Sequence, residues 1–515
     1  MASQTSISPQ STWPGERYPS QHDVEQANAS LEPNFLDNFK RALLASPAAL
    51  NNENLVHINL ENRSSFIDGY TYPISTLSNF PDLSSDYDVD SLQQFFSHRF
   101  DKHILINSLP LPSQSQRSVP PYFKLALACL ACASSPGRST EHGQGEKARK
   151  LFQAGNDLWT VILEVDNREA RTLEGAIAPV LLTMYGMLTA DIDIWQRVEE
   201  QILPSASTIV RRMRLHESAS SDGTITPTLL SGMKRSLVFG CTLLVSVLTA
   251  LHMDIPCYLT SNEVGIQAGT SGAHFQEVYT SLLDDDSLLT PAVASREDAV
   301  LLITTILSDA ICVRRSLGSL SAYTSRQSRQ PKNPYLVLSP PSEYRRISDQ
   351  LSGALERWKE RFGSVVARDD MALYYFCRLY LSCPHLSLLP RLAAYPPAVQ
   401  SVGLQKDLDR AERMSISDDS VRYAWAVLDH ADGRSDAEQV VCPIWLPVTV
   451  FFAGLVIWAK TWMSEDSPMG LSDKPSGLKQ LLAFKLELDQ MPWPCCTEMA
   501  CTLDRLVQTS RGSAC

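Results

Sequence analysis

Four places in the 515-residue chain bring metal- or proton-binding side chains close together. Cys129 and Cys132 form a Cys-x-x-Cys pair, a spacing at which two thiolates can hold zinc or form a redox disulfide. Cys495, Cys496, Cys501 and Cys515 gather near the C-terminus, and His98 and His103 flank a short polar stretch. Asp284, Asp285 and Asp286 lie in LLDDDSLL, an acid-rich run of the kind that binds magnesium and, through it, a diphosphate. Each falls short of a complete site. A structural zinc needs four ligands, and the Cys129 pair has no second pair or His at ligand spacing nearby. It sits in LALACLACASS, where a thiol acts as a small buried hydrophobe. Adjacent Cys495 and Cys496 suit tetrahedral ligation poorly, and five-residue spacing sets the two histidines on different helix faces. Magnesium-binding carboxylates lie about one turn apart and face a second ligand set, whereas these acids are consecutive, position 288 is Leu288, and no second motif follows. A Gly-x-Ser-x-Gly elbow, a Walker loop and a complete Gly-x-Gly-x-x-Gly are all lacking. The expectation is no catalytic, cofactor-binding or metal-binding residue and a chain that is not an enzyme. Its alternatives are an all-α, magnesium-dependent enzyme of the terpene-cyclase type using Asp284 to Asp286, or a helical scaffold.

The elements that would position any site read as helices. Leu92, Phe95, Phe96, Phe100 and Ile104 recur at three-to-four spacing behind a cap at Asp90 or Ser91. PPYFKLALACLACASSPG opens on prolines and stops at Pro136-Gly137, and a polar loop from Ser134 to Gly145 precedes GEKARKLFQAGNDLWTVILEV. Leu173 to Leu188 carries a helical stripe, Ala190 to Asp193 breaks it, and a helix from Ile194 to Leu215 should kink near Pro204. Ser236–Met253, Ala299–Val313 and Met371–Leu389 are apolar nearly all round and must be central. No convincing alternating β-type segment appears. The fold class is therefore all-α, a multi-helix domain of antiparallel helix pairs. Residues 1–87 read as a mostly disordered acidic leader, 88–320 as a first helical half, 321–342 as a Pro- and Arg-containing linker, and 343–515 as a second half packed on the first.

Charge narrows the possible partners. The chain carries 45 Lys and Arg against 57 Asp and Glu, a net charge of −12 that disfavours coating DNA or an anionic membrane through bulk electrostatics. Most of the excess lies in the first 90 residues, where twelve acids face four bases. Their Ser-, Pro- and Asn-rich composition has little apolar surface to bury. The end of that stretch, FPDLSSDYDVDSLQQFF, suits either a segment that folds onto a coactivator or a linker entering a helix cap. No secretory signal opens the chain, so the twelve cysteines are expected to be reduced core thiols. The apolar run Val440–Ala459 is long enough to span a bilayer, but Pro443 and Pro447 interrupt its first third, and a buried globular helix is expected instead.

Taken in order, these segments resemble the fungal-specific transcription factor domain, the α-helical regulatory region of zinc-cluster and Cys2His2 fungal regulators. The resemblance runs from about Asp88 to Leu288, with a further match near Val441 to Trp462. It rests on SLQQFFSHRFDKHILIN, PPYFKLALACLACASSP and ARKLFQAGNDLW, then LLTMYGMLTADIDIWQRVEEQ with Tyr185-Gly186 and Trp195, then STIVRRMRLHE. KRSLVFGCTLLVSVLTALHMDIPCYLTSNEVGI follows, with Pro256 and Glu263 at the family's Pro and Glu, and PIWLPVTVFFAGLVIWA closes the set. The resemblance implies transcription control in the nucleus, with shuttling to the cytoplasm, often of a metabolic or secondary-metabolite gene cluster. It also implies that the helical region regulates activity or self-association, the candidate assembly being a homodimer.

Two departures shape that expectation. The family's DNA-reading module lies N-terminal and needs six Cys, or paired Cys and His, around zinc. No cysteine precedes Cys129, so a finger is expected to be absent from this chain, and KARK at Lys147 and VRRMR at Val210 lie on amphipathic helices rather than replacing it. TPTLLSGMKRS, before Lys234-Arg235, lacks the aromatic and acidic residues usual there. The chain should thus reach DNA indirectly, through a homologous zinc-finger regulator or a finger missing here, and act on the transcription machinery, without a membrane.

Overall fold

The structure is a computed structural model. It describes residues 80, 81, 83, 89–100, 119–134, 142–215, 232–264, 267–268, 273–284, 295–324, 341–399, 415–431, 442–465 and 474–512. The described chain is all-α. Its helices are α1 (Val89–Arg99), α2 (Pro121–Ala133), α3 (His142–Val165), α4 (Leu173–Met187), α5 (Ile192–Arg197), α6 (Leu203–Arg212), α7 (Gly232–Met253) and α8 (Phe275–Leu283). They continue with α9 (Arg296–Thr324), α10 (Pro341–Phe362), α11 (Arg368–Ser382), α12 (Asp418–Ala431), α13 (Leu446–Glu465), α14 (Lys474–Gln490) and α15 (Pro494–Gly512). A two-residue hairpin, Gln267–Ala268 with Ala273–His274, leads into α8 and holds the strands found among the described residues.

Local chemistry sets the helix ends. Pro120 and Pro121 open α2, where a missing N–H costs nothing, and Ser134 closes it. Thr172 caps α4 by accepting from the Gly175 amide at 3.0 Å. Asp191 caps α5, accepting from the amides of Asp193 and Ile194 at 3.0 and 3.3 Å. The expected kink at Pro204 takes the form of a π turn, Val198–Ile202, just ahead of it. Proline has no amide to donate and its ring crowds the carbonyl four residues back, so the ladder widens there.

Four boundaries differ from the sequence reading. α3 begins at His142, inside the expected 134–145 loop, because Gly143 and Gly145 blur the apolar period without preventing a turn. α5 begins at Ile192, inside the expected break, because Asp191 supplies a cap. α9 runs on to Thr324 through SLGSLSAYT, past the expected start of the 321–342 linker; residues 325–340 lie outside the described residues. Phe80 and Leu83, read as leader, pack into the core, with Phe80 2% exposed. The rest of the leader, to residue 79, lies outside the described residues.

The three all-round apolar runs are buried as expected, in α7, α9 and α11. The apolar segment with Pro443 and Pro447 also lies inside, as a turn followed by α13. No helix among the described residues is long and apolar enough to cross a membrane. One continuous core runs from Phe80 to Val507 and joins helices on both sides of residues 321–342. Neighbours in sequence pack together, α2 on α3, α11 on α12 and α14 on α15. Only Met491–Trp493 joins the last pair, so the chain must reverse between them. Indole N–H groups tie the elements: Trp358 donates to Ala299 O at 2.8 Å, Trp445 to Asp369 O at 3.1 Å and Trp493 to Cys442 O at 3.1 Å.

Candidate functional site

Polar side chains from several elements meet where α7 ends. Asp254 leaves the helix with φ 53, the left-handed region that Asp tolerates better than most side chains. The turn aims both its carbonyl and its carboxylate at other elements. Arg315 of α9 donates through Nη1 to Asp254 O at 2.6 Å and to Oδ1 at 2.8 Å. Arg391, on the single turn Leu389–Leu392, donates to the other carboxylate oxygen at 2.9 Å. One acid thus joins three elements, one of them from beyond residue 342. Because these side chains keep partial access to water, each pair contributes modestly to stability and mainly fixes position.

Arg314, one residue earlier, points the other way. Its guanidinium lies 3.9 Å over the Tyr380 ring and donates to the carbonyls of Tyr380 and Cys383, the latter at 3.1 Å. Tyr380 lies in the last turn of α11 and Cys383 is its C-cap, so both carbonyls sit at the negative end of the helix dipole, where a cation is favoured.

Behind Asp254 lies His252, fully enclosed. Its ring stands edge-on to Trp195 at 4.4 Å; Nδ1 is 3.0 Å from Met187 O, and Nε2 is 3.2 Å from the Tyr395 hydroxyl. A carbonyl can only accept, so Nδ1 carries the proton and Nε2 accepts from Tyr395. Burial pushes this imidazole down to about 3, opposed in part by the Met187 carbonyl, so it stays neutral at physiological pH. A cleft of about 40 Å³ opens beside it, lined by His252, Asp254, Pro390, Arg391 and Ala398. That is room for a few waters.

The loop after Asp254 is clamped at its far end. Arg211 of α6 pairs with Glu263 and donates to Tyr258 O. Glu263 also accepts from the Thr260 amide at 3.0 Å, closing a capping box over Ser261–Glu263. Burial raises the Glu263 carboxyl, but hydrogen bonds from Arg211 and Thr260 outweigh it and hold the group below its ordinary range. Pro256 sits exposed between the two clamps.

The residues singled out in the sequence are dispersed. Cys129 and Cys132 are buried, and the Cys129 thiol donates to Ala148 O at 3.3 Å. Cys495 and Cys496 are buried, Cys501 is exposed, and Cys515 lies outside the described residues. Asp284 is the C-cap of α8, while Asp285 and Asp286 lie outside the described residues, as does His103; His98 is exposed. Among the described residues no group of three or more His, Cys, Asp or Glu side chains could hold a metal. The side chains of Lys234 and Arg235 also lie outside them.

Tyr185, Gly186 and Trp195 acquire positional roles. Tyr185 packs on Phe152 with ring centroids 5.4 Å apart, and the Trp195 indole donates to Thr189 O at 2.8 Å. A Cβ on Gly186 would stand 2.3 Å from Val198 Cγ2, so the π turn can press against α4 only at a glycine. Asp254, Arg315 and Arg391 escaped the sequence reading because 61 and 137 residues separate the acid from its partners. The one local signal was the turn-forming Asp-Ile-Pro after an apolar helix.

Fold and site define the protein by architecture: an all-α chain with one continuous core and a loop, Asp254–Glu263, clamped by arginines from α6, α9 and the Leu389–Leu392 turn. No family model, curated protein or solved structure matches the chain.

Proposed function

We propose that this chain is a non-catalytic transcription regulator of the fungal-specific type. It works in the nucleus, shuttling with the cytoplasm, on a metabolic or secondary-metabolite gene cluster. What carries the reading is the order of the helices that resemble the family: α1, α2, α3, α4, the α5–α6 segment with its π turn, α7 with its clamped loop, and α13. Supporting it, the residues that recur in that resemblance have constrained places here, Gly186 against Val198 and Glu263 on Arg211. A net charge of −12 supports contact with DNA through a partner, a homologous zinc-finger regulator or a finger outside this sequence, with the transcription machinery as the second partner. The chain acts as a monomer or a homodimer.

A gel shift separates the outcomes. Purified chain added to promoter DNA carrying a homologous zinc-finger regulator should retard that complex further, and the chain alone should leave the DNA unshifted. Tight, sequence-specific retardation by the chain alone would overturn the partner-dependent version.

A further inference from the structure

Asp254 to Leu259 runs along α9 in the sense opposite to the helix. At one end Arg315 holds Asp254 by two hydrogen bonds, at 2.6 and 2.8 Å. At the other the Ser308 hydroxyl donates to Leu259 O at 3.3 Å. Ser308, Cys312 and Arg315 share one face of α9 by their four- and three-residue spacing, so the register set by the two ends brings Cys257 opposite Cys312. The two thiols are close enough to influence each other's ionisation, and both are half-buried, unlike the enclosed Cys129, Cys241 and Cys377.

From this geometry we propose that Cys257 and Cys312 form a dithiol that peroxides oxidise to a disulfide. Cys312, on the helix face it shares with Ser308 and Arg315, is the attacking sulfur and Cys257 the resolving one. The Cys257 thiol beside it, with neighbouring Ser308 and Arg315, holds the Cys312 thiol below its ordinary value against burial and the Asp309 carboxylate. Cys257 is driven the other way, first by donating to Cys312 and then by burial.

The Cys312 thiolate attacks one peroxide oxygen and the O–O bond breaks. Hydroxide leaves and takes up a proton as water, and Cys312 becomes a sulfenic acid. The Cys257 sulfur then attacks the Cys312 sulfur, the S–O bond breaks, and the thiol proton leaves with the departing hydroxyl as a second water. Two thiols give up two electrons, and one hydrogen peroxide becomes two waters. The disulfide fastens the clamped loop to α9 covalently, next to the Arg391 contact.

Peptide mapping of the full chain tests this. After brief treatment with a few equivalents of hydrogen peroxide and alkylation of the remaining thiols under denaturing conditions, free thiol should be lost at Cys257 and Cys312 together. It should reappear as one reductant-sensitive cross-link between their peptides, while Cys129, Cys241 and Cys377 remain alkylated. In Cys257→Ser, dimedone should trap a sulfenic acid on Cys312; in Cys312→Ser, neither adduct nor cross-link should form. Full alkylation of both positions after peroxide, or cross-links of either to another cysteine, would overturn the proposal. So would a dimedone adduct forming on Cys257 in Cys312→Ser as readily as on Cys312 in Cys257→Ser. The mapping of the unsubstituted chain decides the question even if a variant does not fold.

Discussion

His252 shows at a single residue how the interior was assembled. Its imidazole bridges α4 and the turn before Pro396, and burial lowers it to about 3, so it stays neutral at physiological pH. An unfolded chain protonates the same ring near its ordinary 6.5, so acid favours unfolding through this group. Its stabilising effect is complete above that value and is lost as pH falls from about 6.5 towards 3. Asp157 works in the opposite direction. Burial, partly offset by Arg197 and Asn156, raises its carboxyl from 3.8 to about 6, so protonation in that window favours the folded chain. The two effects overlap, and a difference measurement isolates the histidine. Between pH 6 and 4 the unfolding free energy of the native chain should fall relative to His252→Gln by about 1.4 kcal/mol per pH unit. Urea unfolding at three pH values checks this, and parallel pH curves would contradict it. The sequence placed His252 in an apolar helix but could not show its partners, 65 and 143 residues away.

At the scale of elements, the sequence is most informative where a local signal has one physical outcome. All-round apolar runs became the buried α7, α9 and α11, and Pro204 produced an irregular turn at the expected place. Boundaries were less legible where polar or small residues continue a helix, as Gly143 does in α3 and Ser319 and Ser321 do in α9. Gly186 read only as part of a recurring motif; its cause, contact with Val198, lies in the packing of α4 on the π turn. Gly186→Ala should therefore destabilise the protein by roughly 1–3 kcal/mol, despite alanine's better helix propensity, because the enclosed Val198 has no space to retreat. The double variant Gly186→Ala with Val198→Ala should recover part of the packing loss in a double-mutant cycle. Strict additivity of the two changes in thermal unfolding would show that the contact is not the cause.

Across the whole molecule, long-range pairings bind the two parts on either side of residues 321–342. Arg296 grips the fully buried carboxylate of Asp370 at 2.6 and 3.2 Å, Trp493 packs on Phe100 at 6.2 Å, and the Cys495 amide donates to Leu188 O at 2.8 Å. None of these was legible, since each depends on closing loops of many tens of residues. The helical class was legible because it needs only local periodicity. The functional reading rests on the ordered helices, and it requires the chain to change transcription when DNA binding is supplied from elsewhere. Fusing residues 1–515 to a heterologous DNA-binding domain and measuring a reporter bearing that domain's site in a fungal host tests this directly. The account predicts a several-fold change in reporter output relative to the DNA-binding domain alone, with the fusion in the nucleus. Unchanged output from a folded, nuclear fusion would contradict it.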